Sequence, residues 1–256
     1  MGDHKTIPIP REIEDLDQFV DEATFVVREL TPEEINKYTP YVAELVAKID
    51  GTWQLKDLDH ELIRLRRKYR LNPSKCHMLD TYRHGRSHDI FRQNVFFERL
   101  IRKKMNRSTS GVVVITMLLG PGKFSCPMNC HYCPNDPAIA RSYLLKEPAV
   151  RRGFLNDWDP YRQFNDRANS LYRAGHQITK IEIIIEGGTF GSYPHDYIET
   201  YFRDIYYAAN TYGQPQPRER LSLKEEIEIN QSAHCAIIGI TIGSIVVKSF
   251  AFANWV

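Results

Sequence analysis

"GVVVITMLLGPGKFSCPMNCHYCPNDP", residues 111–137, decides the architecture. Its opening "GVVVITMLL" is a β-branched run of strand length. It is apolar on both faces, as a parallel strand covered on both sides requires. A glycine and proline pair ends the run, and Cys126, Cys130 and Cys133 then fall within eight positions of a loop. A structural zinc site takes four ligands, usually as two well-separated pairs. Here the fourth would have to be His131, His77, Cys76, His234 or Cys235, and His131 lies between two of the cysteines with its side chain expected to point elsewhere. In a [4Fe–4S] cluster each iron needs an external ligand. Three cysteines would hold three corners and leave one iron open to a small chelating molecule. Zinc, a cluster and plain structural thiols all remain open on residue type alone; the cluster fits the count better.

Outward from this stretch, "KIEIIIEGGTF" (180–190) reads as a second buried strand and "CAIIGITI" (235–242) as a third. Helices are expected between them at 159–176, 195–213 and 222–234. Strand and helix alternating in this way imply parallel strands joined by right-handed crossovers. Chemistry in such folds gathers at the strand C-termini. The cysteine loop and Gly187-Gly188 both lie there, so the two are expected to form one site. Glycines at a strand end allow close approach of a ligand to the backbone, although a glycine pair alone is more often a turn. Tyr193 and His195, just beyond, are candidates for lining the same site, and Arg141, Tyr143 and Arg151 could meet substrate or pair with Glu147 and Asp157.

The chain before residue 109 reads as helical. Thr31, Pro32 and Glu34 form a helix start with a capping box. Ile35, Tyr38, Val42, Leu45 and Ile49 repeat at helical spacing, Gly51 stops the run, and Pro40 is expected to break or kink it. A second helix carries Leu55, Leu58, Leu62, Leu65 and Tyr69 on one face and Arg64, Arg66, Arg67, Lys68 and Arg70 on the other. Residues 72–110 are polar, with a helix expected at 88–104. His77, His84 and His88 fall in what reads as a polar loop; three histidines there suggest a metal, but loop histidines are usually solvated. Cys76 and Cys235 read as buried or idle thiols. The domains expected are a tail at 1–30, a helical basic segment at 31–108, an α/β part at 109–242 and an apolar tail at 243–256.

Net charge is +2 over 256 residues, so no global field selects a partner. The cations are clumped instead, as "RLRRKYR" (64–70) and "RKKMNR" (102–107). Such clumps suit phosphate contacts, but the first is equally a solvated helix face. Five cysteines and a polar N-terminus, "MGDHKTIPIP", argue against a disulfide framework and for a reducing, cytoplasmic or nuclear location. "MGDHKT" fits the loose myristoylation pattern, with Asp3 counting against it. "AIIGITIGSIVVKSFAFANWV" (236–256) is long enough to cross a bilayer, but Lys248 favours a buried strand with an apolar end, and no membrane partner is expected.

C-x3-C-x2-C after a first strand resembles the radical S-adenosylmethionine superfamily. There an aromatic residue commonly precedes the last cysteine, as Tyr132 does, and a glycine pair ending the second strand contacts the methionine amino group. "CPND", "RSYLLKEPAVRR", "DPYRQ", "GGTFGSYP" and "LSLKEEIEINQSAHCAIIGITI" narrow the resemblance to the catalytic subunit of the Elongator complex, over roughly residues 30–242. The resemblance implies an α/β fold: a partial TIM-type (β/α) radical S-adenosylmethionine barrel, incomplete here, preceded by a helical domain. It implies carboxymethylation of the wobble uridine of tRNA at C5, with acetyl-coenzyme A as acetyl donor. Cys126, Cys130 and Cys133 would ligate a [4Fe–4S] cluster; Gly187, Gly188 and Tyr132 would face S-adenosylmethionine. Arg64, Arg66, Arg67, Lys68 and Arg70 would contact tRNA, and other Elongator subunits would be partners in a eukaryote. The spacing of the first two cysteines is shorter than in several members of that family. Those members continue past the third strand with an acidic residue and an arginine, complete the barrel and add an acetyltransferase-like domain. The expectation is therefore a C-terminally truncated chain. Two other readings stand beside it, a non-catalytic tRNA-binding fragment and a zinc-bound nucleic-acid module.

Overall fold

The structure is a computed structural model that describes residues 29–122, 126, 128, 130–136, 138–214 and 218–243. Its contacts divide the chain into two compact units. Among the described residues, one holds those up to Val113 together with Ala168–Ile178; the other holds Val114–Arg167 and those from Thr179.

The helical unit contains α1 (Pro32–Lys48), α2 (Leu55–Tyr69), α3 (Lys75–Ser87) and α4 (Val95–Ile101). Thr31 starts α1 with the expected reciprocal cap: its hydroxyl accepts from the Glu34 N–H at 3.2 Å, and the Glu34 carboxylate accepts from the Thr31 N–H at 2.9 Å. Pro40 does not end this helix, which runs through it. Pro40 and Asn36, whose carbonyl loses its partner, are both exposed to water. Tyr41, Val42 and Leu45 are fully buried just beyond, so packing outweighs the lost bond. Leu58, Leu62 and Leu65 of α2 join them, with Met78, Leu79 and Tyr82 of α3 and Phe97 and Ile101 of α4, in one apolar core. Leu55 stays 46% exposed and is not part of it.

Residues 75–87 form a helix, not a loop. Ser74 caps it by accepting from the His77 N–H at 3.1 Å. Its polar composition hid an apolar face of Cys76, Met78, Leu79 and Tyr82. His77 stacks on Tyr38, and His84 stacks on His88 at the helix end. Asn94 caps α4 through the N–H groups of Phe96 and Phe97. Its amide also donates to the carbonyls of Val46 and Ile49 at 3.0 and 2.9 Å. One side chain thus satisfies orphan groups at both helix ends.

The second unit is built on a three-stranded sheet in the order β1 (Val113–Leu118), β2 (Lys180–Glu186), β3 (Ala236–Ile242), with β2 and β3 parallel. Helices α5 (Pro148–Leu155), α6 (Pro160–Arg173), α7 (His195–Asn210) and α8 (Leu223–Asn230) fill the connections. α5 lies where the sequence suggested no element. The expected cover on both faces of β1 is incomplete: Val113, Ile115, Met117 and Leu118 are buried, while Val114 is 39% exposed. β2 alternates in the same way, with Ile181, Ile183 and Ile185 buried. β3 is an edge strand whose Ile238 is 55% exposed. Cys76 and Cys235 are both buried, and burial pushes the Cys235 thiol up to about 12. The apolar stretch after Gly243 lies outside the described residues. Among the described residues no helix is long and apolar enough to cross a membrane.

Candidate functional site

The exits of β1 and β2 lie side by side, joined where the Leu119 N–H donates to the Glu186 carbonyl at 2.8 Å. Gly187 follows at φ +136, a backbone setting that favours glycine, and a Cβ there would come within 2.8 Å of the Leu119 Cβ. The glycine is thus required by the close approach of two chain segments.

A set of long-range hydrogen bonds holds the end of β1. Gln163 of α6 clamps both backbone polar groups of Leu118: its amide oxygen accepts from the Leu118 N–H, and its amide nitrogen donates to the Leu118 carbonyl, each at 2.9 Å. Tyr201 donates to the same carbonyl at 2.9 Å. The Gly120 N–H donates to the Tyr197 hydroxyl at 2.8 Å, and Tyr193 donates to the Gly120 carbonyl at 3.2 Å. Tyr193, Tyr197 and Tyr201 recur every four residues, so one face of α7 and its approach presents three phenols to one strand end. Their rings are in contact, Tyr193 stacking on Tyr197 with centroids 5.5 Å apart. Burial pushes Tyr197 up to about 12 and raises Tyr193 and Tyr201 further, so all three are neutral at physiological pH. They act as hydrogen-bonding groups, not as bases.

The cysteine loop meets this platform where the Cys126 Sγ lies 3.2 Å from the Thr189 Oγ1. Thr189 directly follows Gly187-Gly188. The expected union of the cysteine loop with the glycine-ended strand is therefore present at Cys126. Tyr143 comes to the same place, its hydroxyl against the Gly187 N–H; burial and then the Glu186 carboxylate raise its pKa. Burial also raises Glu186, with Glu147 adding to it and Arg152 opposing.

All three cysteines are free thiols, Cys126 and Cys133 half-buried and Cys130 exposed. The Cys133 N–H donates to the Cys130 carbonyl at 3.2 Å, which turns the loop between them. Three free thiols in one loop are a donor set that fits a cluster. Among the described residues, however, no group of three His, Cys, Asp or Glu side chains is gathered around one point. Tyr132 is 94% exposed and meets His131 edge-on. His195 is exposed, its ring 3.9 Å from Glu199. Asp157 pairs with Arg162 of α6.

The other candidates lie on α2. Arg64, Arg66, Arg67, Lys68 and Arg70 are all exposed. Arg64 and Lys68 are paired with Glu44 of α1, and Arg64 also pairs with Glu61 at 2.5 Å. Among the described residues Arg67 and Arg70 have no carboxylate partner.

Sequence reading missed Gln163, Thr189, Tyr197 and Tyr201. The spacing of the three tyrosines was the available signal for Tyr197 and Tyr201; Gln163 and Thr189 fall within the quoted stretches "DPYRQ" and "GGTFGSYP", but nothing there singled out either residue.

No protein-family model matches the chain. It is 33% identical over 181 residues to a tRNA uridine(34) acetyltransferase of Methanocaldococcus infernus, across 65% of this chain and 32% of that protein. It is 31% identical over 155 residues to Elongator complex protein 3 of Schizosaccharomyces pombe, across 56% of this chain and 27% of that protein. The chain is homologous to these proteins. It spans about a third or less of the length of the curated relatives it matches. A solved structure of Methanocaldococcus infernus Elp3 lacking its N-terminus is 25% identical, covers 52% of this chain and 23% of its own, and superposes with a TM-score of 0.37. The expected kinship with the Elongator catalytic subunit is thus supported by sequence.

Proposed function

We propose that this chain is the tRNA-binding and radical-generating portion of an enzyme that modifies wobble uridine at C5, built on part of a radical S-adenosylmethionine barrel. Homology to proteins named for tRNA uridine(34) acetylation supports the reaction class. The observation that carries the reading is the Cys126–Thr189 contact, which brings the cysteine loop to the glycine-ended second strand.

In this reading Cys126, Cys130 and Cys133 hold a [4Fe–4S] cluster and Gly187 and Gly188 face S-adenosylmethionine, with Tyr132 on the loop beside it. A bound cluster supplies one electron for reductive cleavage of the sulfonium. The rest belongs to this chain's own residues. Gln163, Tyr197 and Tyr201 hold Leu118 to Gly120 so that the loop leaves the sheet at a set place. The buried phenols keep their protons and exclude water from the sheet end. Arg66, Arg67 and Arg70 on α2, with Arg64 and Lys68, contact the tRNA backbone. Acetyl-coenzyme A provides the acetyl group, from a domain such as the relatives carry, and other Elongator subunits are partners in a eukaryotic setting.

Anaerobic reconstitution with iron and sulfide tests this. The protein is expected to take up iron and sulfide, show the broad absorption of an iron–sulfur cluster, and release 5′-deoxyadenosine from S-adenosylmethionine under reduction; Cys130→Ala is expected to lose all three. Uptake of zinc alone, with no such absorption, would favour the zinc-bound nucleic-acid module. A cluster without 5′-deoxyadenosine, together with retained tRNA binding, would favour the non-catalytic fragment.

A further inference from the structure

Thr189 is only 4% exposed, and its backbone is tied down: its carbonyl accepts from the Ser192 N–H at 2.9 Å and the Ser192 hydroxyl at 2.6 Å. These bonds fold Phe190–Ser192 into a single 3-10 turn and leave the Thr189 hydroxyl free to face the Cys126 sulfur at 3.2 Å. Between a hydroxyl and a free thiol either group can donate. Between a hydroxyl and a thiolate only the hydroxyl carries a proton, so the direction is then decided by chemistry. A hydrogen bond donated to a ligand sulfur lowers the energy of the more electron-rich state and raises the reduction potential of the iron it serves.

We infer that Thr189 is a positioning residue that donates a hydrogen bond to the Cys126 thiolate and sets the reduction potential of the cluster bound there. The inference rests on the cluster reading above but goes beyond it, because it assigns a role to a residue other than the three cysteines and the glycine pair. Thr189 stands at the turn that continues the Gly187-Gly188 strand end, so the potential and the cosubstrate site are linked through three consecutive residues. Removing the hydroxyl makes the cluster harder to reduce while leaving its three thiolate ligands in place.

The test is a redox titration, followed by electron paramagnetic resonance, of anaerobically reconstituted wild type, Thr189→Val, Thr189→Ala and Thr189→Ser. Iron and sulfide content is measured alongside. Val and Ala variants are expected to bind iron as wild type does and to titrate at a more negative potential, with the Ser variant close to wild type. A merely structural role for Thr189 would change iron content, not the midpoint of a fully loaded cluster. Equal potentials in loaded wild type and the Val and Ala variants overturn the inference alone, as does a Ser variant shifted as far as Val. A wild-type protein that assembles no cluster overturns both the inference and the reading on which it rests.

Discussion

The two units spend their polar groups differently. In the sheet unit, several polar side chains go inward and are bonded there. Glu226 of α8 is fully buried, yet its carboxylate accepts from both Arg218 amino groups, the Leu221 N–H and the Asn210 amide, all at 2.6 to 3.0 Å. Gln163 and Tyr201 are likewise buried and bonded to the backbone of one residue, Leu118. In the helical unit the charged network of Glu44, Glu61, Arg64 and Lys68 lies on the surface, open to water and salt. Buried polar groups are costly to disturb because a lost partner is not replaced by water. Exposed pairs exchange freely with water or with another anion. The contrast gives one set an architectural role and leaves the other available to an incoming anion.

The largest break of this contrast is Glu226→Ala. It strands a guanidinium, an amide and a backbone N–H. Loss of one partner of a buried pair costs about 3–5 kcal/mol. Arg218 keeps 35% of its side chain in water, so the expected loss in urea unfolding lies near the bottom of that range, at about 3 kcal/mol. Burial alone would raise the Glu226 pKa; the bonds from Arg218, Leu221 and Asn210 more than reverse this, so its folded pKa is depressed. A depressed carboxyl stabilises the fold above its unfolded pKa and loses that contribution as pH falls through the folded value. The stability gap between wild type and Glu226→Gln should therefore be full at neutral pH and close under acid.

Gln163→Leu comes next. It leaves the buried Leu118 N–H without a partner, while the Leu118 carbonyl keeps the Tyr201 hydroxyl, so the expected loss is about 1–3 kcal/mol. Tyr201→Phe is milder, about 1 kcal/mol, because Gln163 still serves that carbonyl. Equal losses in the two variants, or a Gln163→Leu protein as stable as wild type, would show that the strand end is not held as the hydrogen bonds imply.

How legible this was depended on what kind of interaction each element needed. The strands and, α5 excepted, the helices beside them followed from apolar periodicity and caps, because those signals are local: Thr31 with Glu34 and Ser222 with Glu225 are capping boxes written within four residues. The helix at 75–87 was lost because its core face is built from Cys76, Met78 and Tyr82 among polar neighbours, which weakens the periodic contrast. Pro40 misled because a propensity was weighed without the burial around it. At the site, the cysteines, glycines and Tyr193 were visible as residue types in a pattern. Gln163 bonds a residue 45 positions away, and Thr189 one 63 positions away. Pairings at that separation are made by the fold and leave no mark on spacing.

The smallest effect on stability, and the sharpest on recognition, is expected from Glu44→Gln. Hydrogen bonds from Lys68, Arg64 and Tyr69 hold the Glu44 carboxyl down at about 2. The depressed value means that the network is intact at neutral pH and dissolves only as pH falls from the ordinary carboxylate range toward about 2, and added salt weakens it throughout. Its removal should shift the unfolding midpoint little, and not at all at high salt. If α2 meets the phosphate backbone, each cation that takes up a phosphate adds about 0.7–0.9 to the salt slope of binding. Arg64 and Lys68 already face a carboxylate, so replacing both with Gln should flatten the slope of tRNA binding less than replacing Arg67 and Arg70. Glu44→Gln frees Lys68, removes one of the two carboxylates that hold Arg64, and should steepen it. Fluorescence anisotropy of labelled tRNA across a salt series measures all three, and equal slopes for the two double variants would mean that Glu44 and Glu61 do not shield the basic face of α2.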